Sequence, residues 1–176
     1  MTATVNIALL VLRLAIGLTI AAHGAQKGFG WFGGPGAAKV AQGFQAQGLR
    51  PGWFWTSLVL LGEIGGGLSV AFGLLTPLGA AGIVGAMLMA ILKTHWRNGF
   101  WSQRHGYEYA LQILAVAVAI GVAGPGAYSL DQLFGIKLPE MALFGILTLA
   151  AVIVDIVGLV ISGQSAPSSQ PVQPAR

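Results

Sequence analysis

The sequence predicts an all-α integral membrane protein, and three observations carry that class. Hydrophobic residues make up 55% of the chain and charged residues 8%, with a mean hydropathy of +0.77. A soluble globule of this length needs more polar surface than that. The apolar residues are gathered into runs of about 20, the length that crosses a hydrocarbon core as a helix. The ionisable residues inside those runs are few and isolated, as they are wherever a bilayer-embedded polar group has a definite partner or task.

Composition also removes several function classes. The net charge of +4 arises from nine basic residues set against five acidic ones, so it reflects scarce carboxylates rather than a basic nucleic-acid-binding face. No nucleic acid partner is expected; the lipid bilayer is. The absence of cysteine excludes disulfides, thiolate metal sites, iron-sulfur clusters, covalent haem and any thiol redox step within the chain. No metal ligand set is expected.

The first span, residues 5–25, lies within the stretch that organises the rest. LRLAIGLTIAAHGAQKGFG, residues 12–30, sets Arg13, His23, Gln26 and Lys27 into an otherwise apolar segment. Its leader MTATVN has no positive charge and Arg13 interrupts the apolar run, so the segment is expected to be retained rather than cleaved as a signal peptide. Gly17, Ala21 and Ala25 form a smooth stripe along which another helix can approach. After a glycine-rich loop, Ala37, Val40, Ala41 and Phe44 recur at helical spacing, which reads as a short interfacial helix ended by Pro51, or as a loop with one turn of helix.

The second span, 53–75, carries Glu63 among Gly62, Gly65, Gly66 and Gly67, with Gly62 and Gly66 as a GxxxG pair for close packing. Thr76 as cap and Pro77 at the first helical position open the third span, 78–97, which ends in Lys93, Thr94, His95, Trp96 and Arg97. Tyr107, Glu108 and Tyr109 open a fourth, to about residue 124, in which Glu108 and Gln112 share a face. A fifth, 141–162, holds Asp155 as its only ionisable residue, and the Pro-, Ser- and Gln-rich residues 163–176 read as a disordered tail.

Alternating spans give two sides. With the N-terminus on side A, the tryptophans Trp31, Trp53, Trp55, Trp96 and Trp101 and the histidines His23, His95 and His105 all fall at side B. An interfacial aromatic belt forms at both membrane surfaces, so this one-sidedness points to a polar mouth at one end of the bundle. A rise of 1.5 Å per residue puts Glu63 roughly 12–15 Å below side B and Arg13 roughly 20 Å below it. Either those two form a buried structural ion pair or they serve a function; Asp155 needs Arg13 or another chain as partner. Lys27, Lys93 and Arg97 read first as headgroup anchors. His95 reads equally as an interfacial residue or a ligand. The basic residues lie mainly on side B, which the positive-inside rule assigns to the cytoplasm.

The motifs LRLAIGLTIAAHGAQK, GLRPGWFW, LGEIGGGL, FGLLTPLGA, GYEYALQIL and GPGAYSLD, in that order over residues 6–131, resemble the DoxX family of small bacterial and archaeal membrane proteins. The resemblance implies a bundle of four transmembrane helices. The division then expected is a four-helix core over 1–131, a connecting loop and extra transmembrane helix over 132–162, and the tail. The family is named for a subunit of a thiosulfate:quinone oxidoreductase, and some relatives are linked to oxidative-stress systems. Its recurrent polar positions map here onto Arg13, His23, Lys27, Glu63 and Glu108.

Three functions compete. In the first, an oxidoreductase subunit of the bacterial inner membrane, the side B mouth admits a quinone head: Glu63, His23 and Glu108 do the proton chemistry, and Arg13, Lys27, His95, Trp55 and Tyr107 bind the ligand. The sequence leaves the cofactor open: a quinone fits this reading, and haem b between His23 and His95 is the lesser alternative. In the second, the chain is a non-enzymatic scaffold that recruits a soluble redox enzyme; the expected protein partner in any of these readings is another subunit or further copies of the chain. In the third it is a small-solute carrier.

Overall fold

The computed structural model describes residues 1–164, and among these it is helical with no strand. The expected tail falls, from residue 165 on, outside the described residues. Helix α1 spans Ala3–Phe29 and α2 spans Ala37–Ala46; α3 is Gly52–Phe72 and α4 is Thr76–Asn98. After these come α5, Glu108–Ala123, a single turn α6, Leu130–Leu133, and α7, Glu140–Gln164. Four of them, α1, α3, α4 and α7, are long and apolar enough to cross a membrane, and α5 is a shorter apolar helix.

Helix α1 starts at Thr2, whose hydroxyl accepts the Val5 N–H, and stops at Gly30, whose left-handed backbone (φ 73°) turns its N–H back to the Gln26 carbonyl. Its buried face reads Asn6, Leu9, Arg13, Gly17, Ile20 and Gly24, at steps of three and four. The expected smooth stripe is therefore real at Gly17: a Cβ there would stand 2.5 Å from the Gly67 carbonyl oxygen. The GxxxG pair works on the other flank of α3, where Cβ atoms on Gly62 and Gly66 would meet the Gly82 and Gly79 carbonyls at 2.7 and 2.8 Å. Helix α3 is thus pressed between α1 and α4 by glycines on both flanks, the small-residue packing on which helix association in lipid relies.

Helices α1, α3, α4 and α5 close a bundle, and α7 lies along α4 and α5. The contact is specific. Phe144 of α7 is buried in the main apolar cluster and covers Gly121 of α5, while Ala151 meets Gly85 of α4. The short helix after the glycine loop forms as α2 but ends at Ala46, in a turn where Gly48 takes φ 85°, so Pro51 is not what ends it; Pro51 instead precedes the first turn of α3.

Thr76 also acts differently from the cap expected of it. It is the first residue of α4, and the capping acceptor is Asp131, which receives the N–H groups of Leu75 (2.8 Å) and Thr76 (3.2 Å) and the Thr76 hydroxyl (3.3 Å). A carboxylate at a helix N-terminus satisfies orphan donors and complements the helix dipole. Here it is supplied by a segment 55 residues further along the chain.

Candidate functional site

Two π-helical turns interrupt the long helices, Leu61–Gly65 midway along α3 and Ala90–His95 near the side B end of α4. Such insertions re-aim side chains and often occur at functional positions. The first carries Glu63 and the second Thr94 and His95. Between them lies a cavity of about 260 Å³, lined by Lys27 of α1, Glu63 and Val59 of α3, Thr94 and His95 of α4, and covered by Val40, Phe44 and Gln47 in and just after α2. Helix α2 therefore folds over the mouth.

Within the cavity Lys27 pairs with Glu63, the ammonium donating to Oε1. The exposures differ: 33% for the Lys27 side chain and 1% for Glu63. The second carboxylate oxygen, Oε2, is buried with no hydrogen-bond partner. His95 donates from Nδ1 to the His105 carbonyl at 2.7 Å, which leaves Nε2 as the free ring nitrogen. His105 itself is exposed and contributes only its backbone oxygen.

The other expected site residues lie elsewhere. His23 donates from Nδ1 to the Thr19 carbonyl at 3.1 Å and packs its ring against Tyr109, 5.6 Å between centroids. Glu108 accepts the Ser102 N–H at 3.0 Å and so closes the loop before α5. Tyr107 is stacked on Trp96 at 5.4 Å. Trp55, the one tryptophan that is buried, faces α7. None of these four is among the residues that line the Lys27–Glu63 cavity.

Arg13 is fully enclosed, but not beside Glu63. Its guanidinium donates to the carbonyls of Pro125 and Tyr128, close to the carboxylate of Asp131. The Arg13–Glu63 ion pair, one of the two readings the sequence offered, is not formed; two separate anchorages stand on one face of α1 instead. Arg13 grips the 125–131 loop towards side A, and Lys27 grips Glu63 at side B. Fourteen residues separate them, close to four helical turns and roughly 21 Å. The Asn6 side chain, accepting the Ala127 N–H at 2.9 Å, fastens the same loop. Side A is thus closed by protein and side B carries the cavity.

Asp131 is the polar residue that sequence reading passed over. The signal for it was present in the breaker sequence before it and in the arginine on α1 with no acid nearby, but their pairing spans 118 residues. Asp155 does not meet Arg13; its Oδ2 is buried without a partner.

Comparison with known proteins agrees with this architecture. The DoxX family profile matches residues 8–96. The inner membrane protein YqjF of Escherichia coli (strain K12) is 34% identical over 108 residues, 61% of this chain and 82% of that protein. No solved structure matches. With its bundle of spans, the chain is a multi-pass protein of the inner membrane. The profile match over half of the chain, together with that relative, shows that the chain belongs to the DoxX family.

Proposed function

We propose that the chain is the membrane subunit of an oxidoreductase system and that the Lys27–Glu63–His95 cavity takes the head of a quinone-type ligand. The observation that carries this reading is the state of Glu63, which is 1% exposed, paired through one oxygen to Lys27 and unpartnered at the other. A buried acceptor without a partner costs about 1–3 kcal/mol, and a ligand hydroxyl removes that cost. A quinone bound there supplies the electron-carrying ring; the chain supplies position and protons. Glu63 Oε2 accepts a proton from a ligand hydroxyl or returns one to a ligand oxygen. Lys27 opposes the negative charge that accumulates on that oxygen, without leaving its place beside Glu63. His95, its tautomer set by the bond to the His105 carbonyl, presents Nε2 to accept or donate a second hydrogen bond. At about 260 Å³ the cavity falls just below the roughly 300–1,000 Å³ range of small-molecule sites, which suits a single ring rather than a whole lipid.

The test is the ligand content of gently purified protein, read by absorption and by mass spectrometry of the lipid extract. Wild type is expected to retain quinone in near-stoichiometric amount, and Glu63→Gln to retain about tenfold less with the fold intact. Equal retention by Glu63→Gln, or none by wild type purified from quinone-replete membranes, rejects the reading.

A further inference from the structure

A second, larger space adjoins the cavity. Between α3 and α7, over a floor formed by Gly79, Gly82 and Gly85 of α4, runs a groove of about 790 Å³ whose walls are almost wholly apolar. It shares Phe44, Val59, Ala86 and Met89 with the smaller cavity. Leu75 and Leu78 line it towards side A, and Trp55 and Asp155 are its polar-bearing residues towards side B.

Asp155 is 8% exposed and its Oδ2 has no partner. No cation among the described residues is paired with it. Among the described residues Lys27 and Glu63 form the ion pair, Arg13 is committed to the side A loop, and Lys93 donates to the Ser162 hydroxyl at 2.7 Å. Ser162 lies seven residues beyond Asp155, so the carboxyl sits roughly 10 Å deeper along α7 than that end of the helix. A carboxyl at such a depth either keeps its proton or is paired with a cation from outside the chain, and a bound cation would hold it ionised. Trp55 provides the second half of the arrangement. It is 6% exposed, and the outer edge of its ring reaches Gly158, where a Cβ would meet ring carbons Cη2 and Cζ3 at 2.5 and 2.8 Å. Gly158 and Asp155 are three apart, on one face of α7. The indole ring and the carboxyl therefore stand about one helical turn apart at one end of an apolar groove that both of them line.

We infer that Asp155 and Trp55 form a binding site for a lipophilic amine, whose ammonium pairs with the carboxylate beside the indole ring and whose hydrocarbon lies in the groove. Carboxylate plus aromatic ring is the pairing that recognises an organic cation. A hydrated metal or ammonium ion would have to shed its water to reach this depth, whereas an amphiphilic amine arrives by partitioning into the bilayer and entering sideways. Gly65 leaves that route open, since a Cβ added there meets nothing within 4 Å. The site is independent of the quinone reading: it uses α7, which lies beyond the part of the chain matched by the family profile, and neither Asp155 nor Trp55 lines the Lys27–Glu63 cavity.

The experiment uses the full chain in phosphatidylcholine nanodiscs, titrated with dodecylamine and, in parallel, with dodecanol, and read by native mass spectrometry and thermal stability. Wild type is expected to take up one dodecylamine saturably, at least tenfold more tightly than dodecanol. Asp155→Asn should lower amine affinity at least tenfold and Trp55→Leu several-fold. Gly65→Leu, which fills the groove, should weaken binding, and Glu63→Gln should leave it unchanged. Equal affinity for dodecanol overturns the inference, as does a loss of binding in Glu63→Gln with none in Asp155→Asn. A change of oligomeric state in Asp155→Asn also overturns it, because the missing cation would then come from a second copy. If Asp155→Asn does not fold, the amine-to-alcohol ratio of wild type and the Gly65→Leu titration decide the matter alone.

Discussion

Lys27 is the residue whose reading changes most between sequence and structure. As a basic residue at the end of a span it resembles a headgroup anchor, yet its ammonium is turned inward onto Glu63. Removing one partner of a buried pair leaves the other uncompensated, at about 3–5 kcal/mol, while replacing both is far less costly. Lys27→Met is therefore expected to lower stability by about 3 kcal/mol in detergent denaturation, and Lys27→Met with Glu63→Gln to recover most of it. A double variant no more stable than Lys27→Met shows that the pair does not hold. Asp131 carries a parallel expectation. Asp131→Ala removes the acceptor of the Leu75 and Thr76 N–H groups and the negative charge near Arg13. About 1–3 kcal/mol of stability should be lost. Hydrogen exchange should quicken at the first turn of α4, and unchanged exchange there contradicts the capping role.

At the scale of the element, α3 is decided by what it lacks. Backbone approaches backbone on both of its flanks, so a side chain at Gly17 of the facing helix has nowhere to go: its Cβ would lie 2.5–2.8 Å from backbone atoms of α3. Gly17→Val is expected to separate α1 from α3 and abolish recovery of folded protein. Gly65, with open space before it, is the control, and Gly65→Ala should leave stability unchanged or raise it by up to about 1 kcal/mol. Similar losses in both variants, read by size-exclusion profile and melting temperature, would mean that close helix approach does not set the fold. The sequence shows these glycines and their spacing. It does not show which faces α1 or α4, because a glycine carries no side chain by which to tell the faces apart.

For the whole molecule, the expected division into a four-helix core and an added helix can be tested by truncation. Helix α7 contributes Phe144 to the main cluster, but the helices that hold Arg13, Lys27 and Glu63 in place are α1, α3 and α4. A chain ending after Asp131 is expected to insert and keep the Lys27–Glu63 cavity, with a lower melting temperature; failure to insert would make α7 part of the core. Orientation is open to a direct measurement because the chain has no cysteine. Lys39, Arg50, Arg97 and Arg104 lie in or near the side B loops, against Lys137 on side A, so the positive-inside rule predicts a cytoplasmic side B. Ser102→Cys should thus be protected from an impermeant maleimide in intact cells and Gln132→Cys labelled; the reverse pattern inverts the topology.

The sequence by itself determined that the chain is a helical membrane protein, where its spans lie to within a few residues, and that its tryptophans and histidines fall towards one end. Those properties follow from apolar content and periodicity along the chain, which are local and additive. Tertiary structure alone decided which polar residues meet. Lys27 rather than Arg13 reaches Glu63, Arg13 belongs with Pro125, Tyr128 and Asp131, and His23 and Glu108 turn away from the cavity. Two π-helical turns, each adding a residue to a helical turn, rotate everything beyond them relative to the period read from sequence. Charges in a low-dielectric interior pair according to a few ångströms of three-dimensional distance, and residue spacing carries no record of that between one helix and the next.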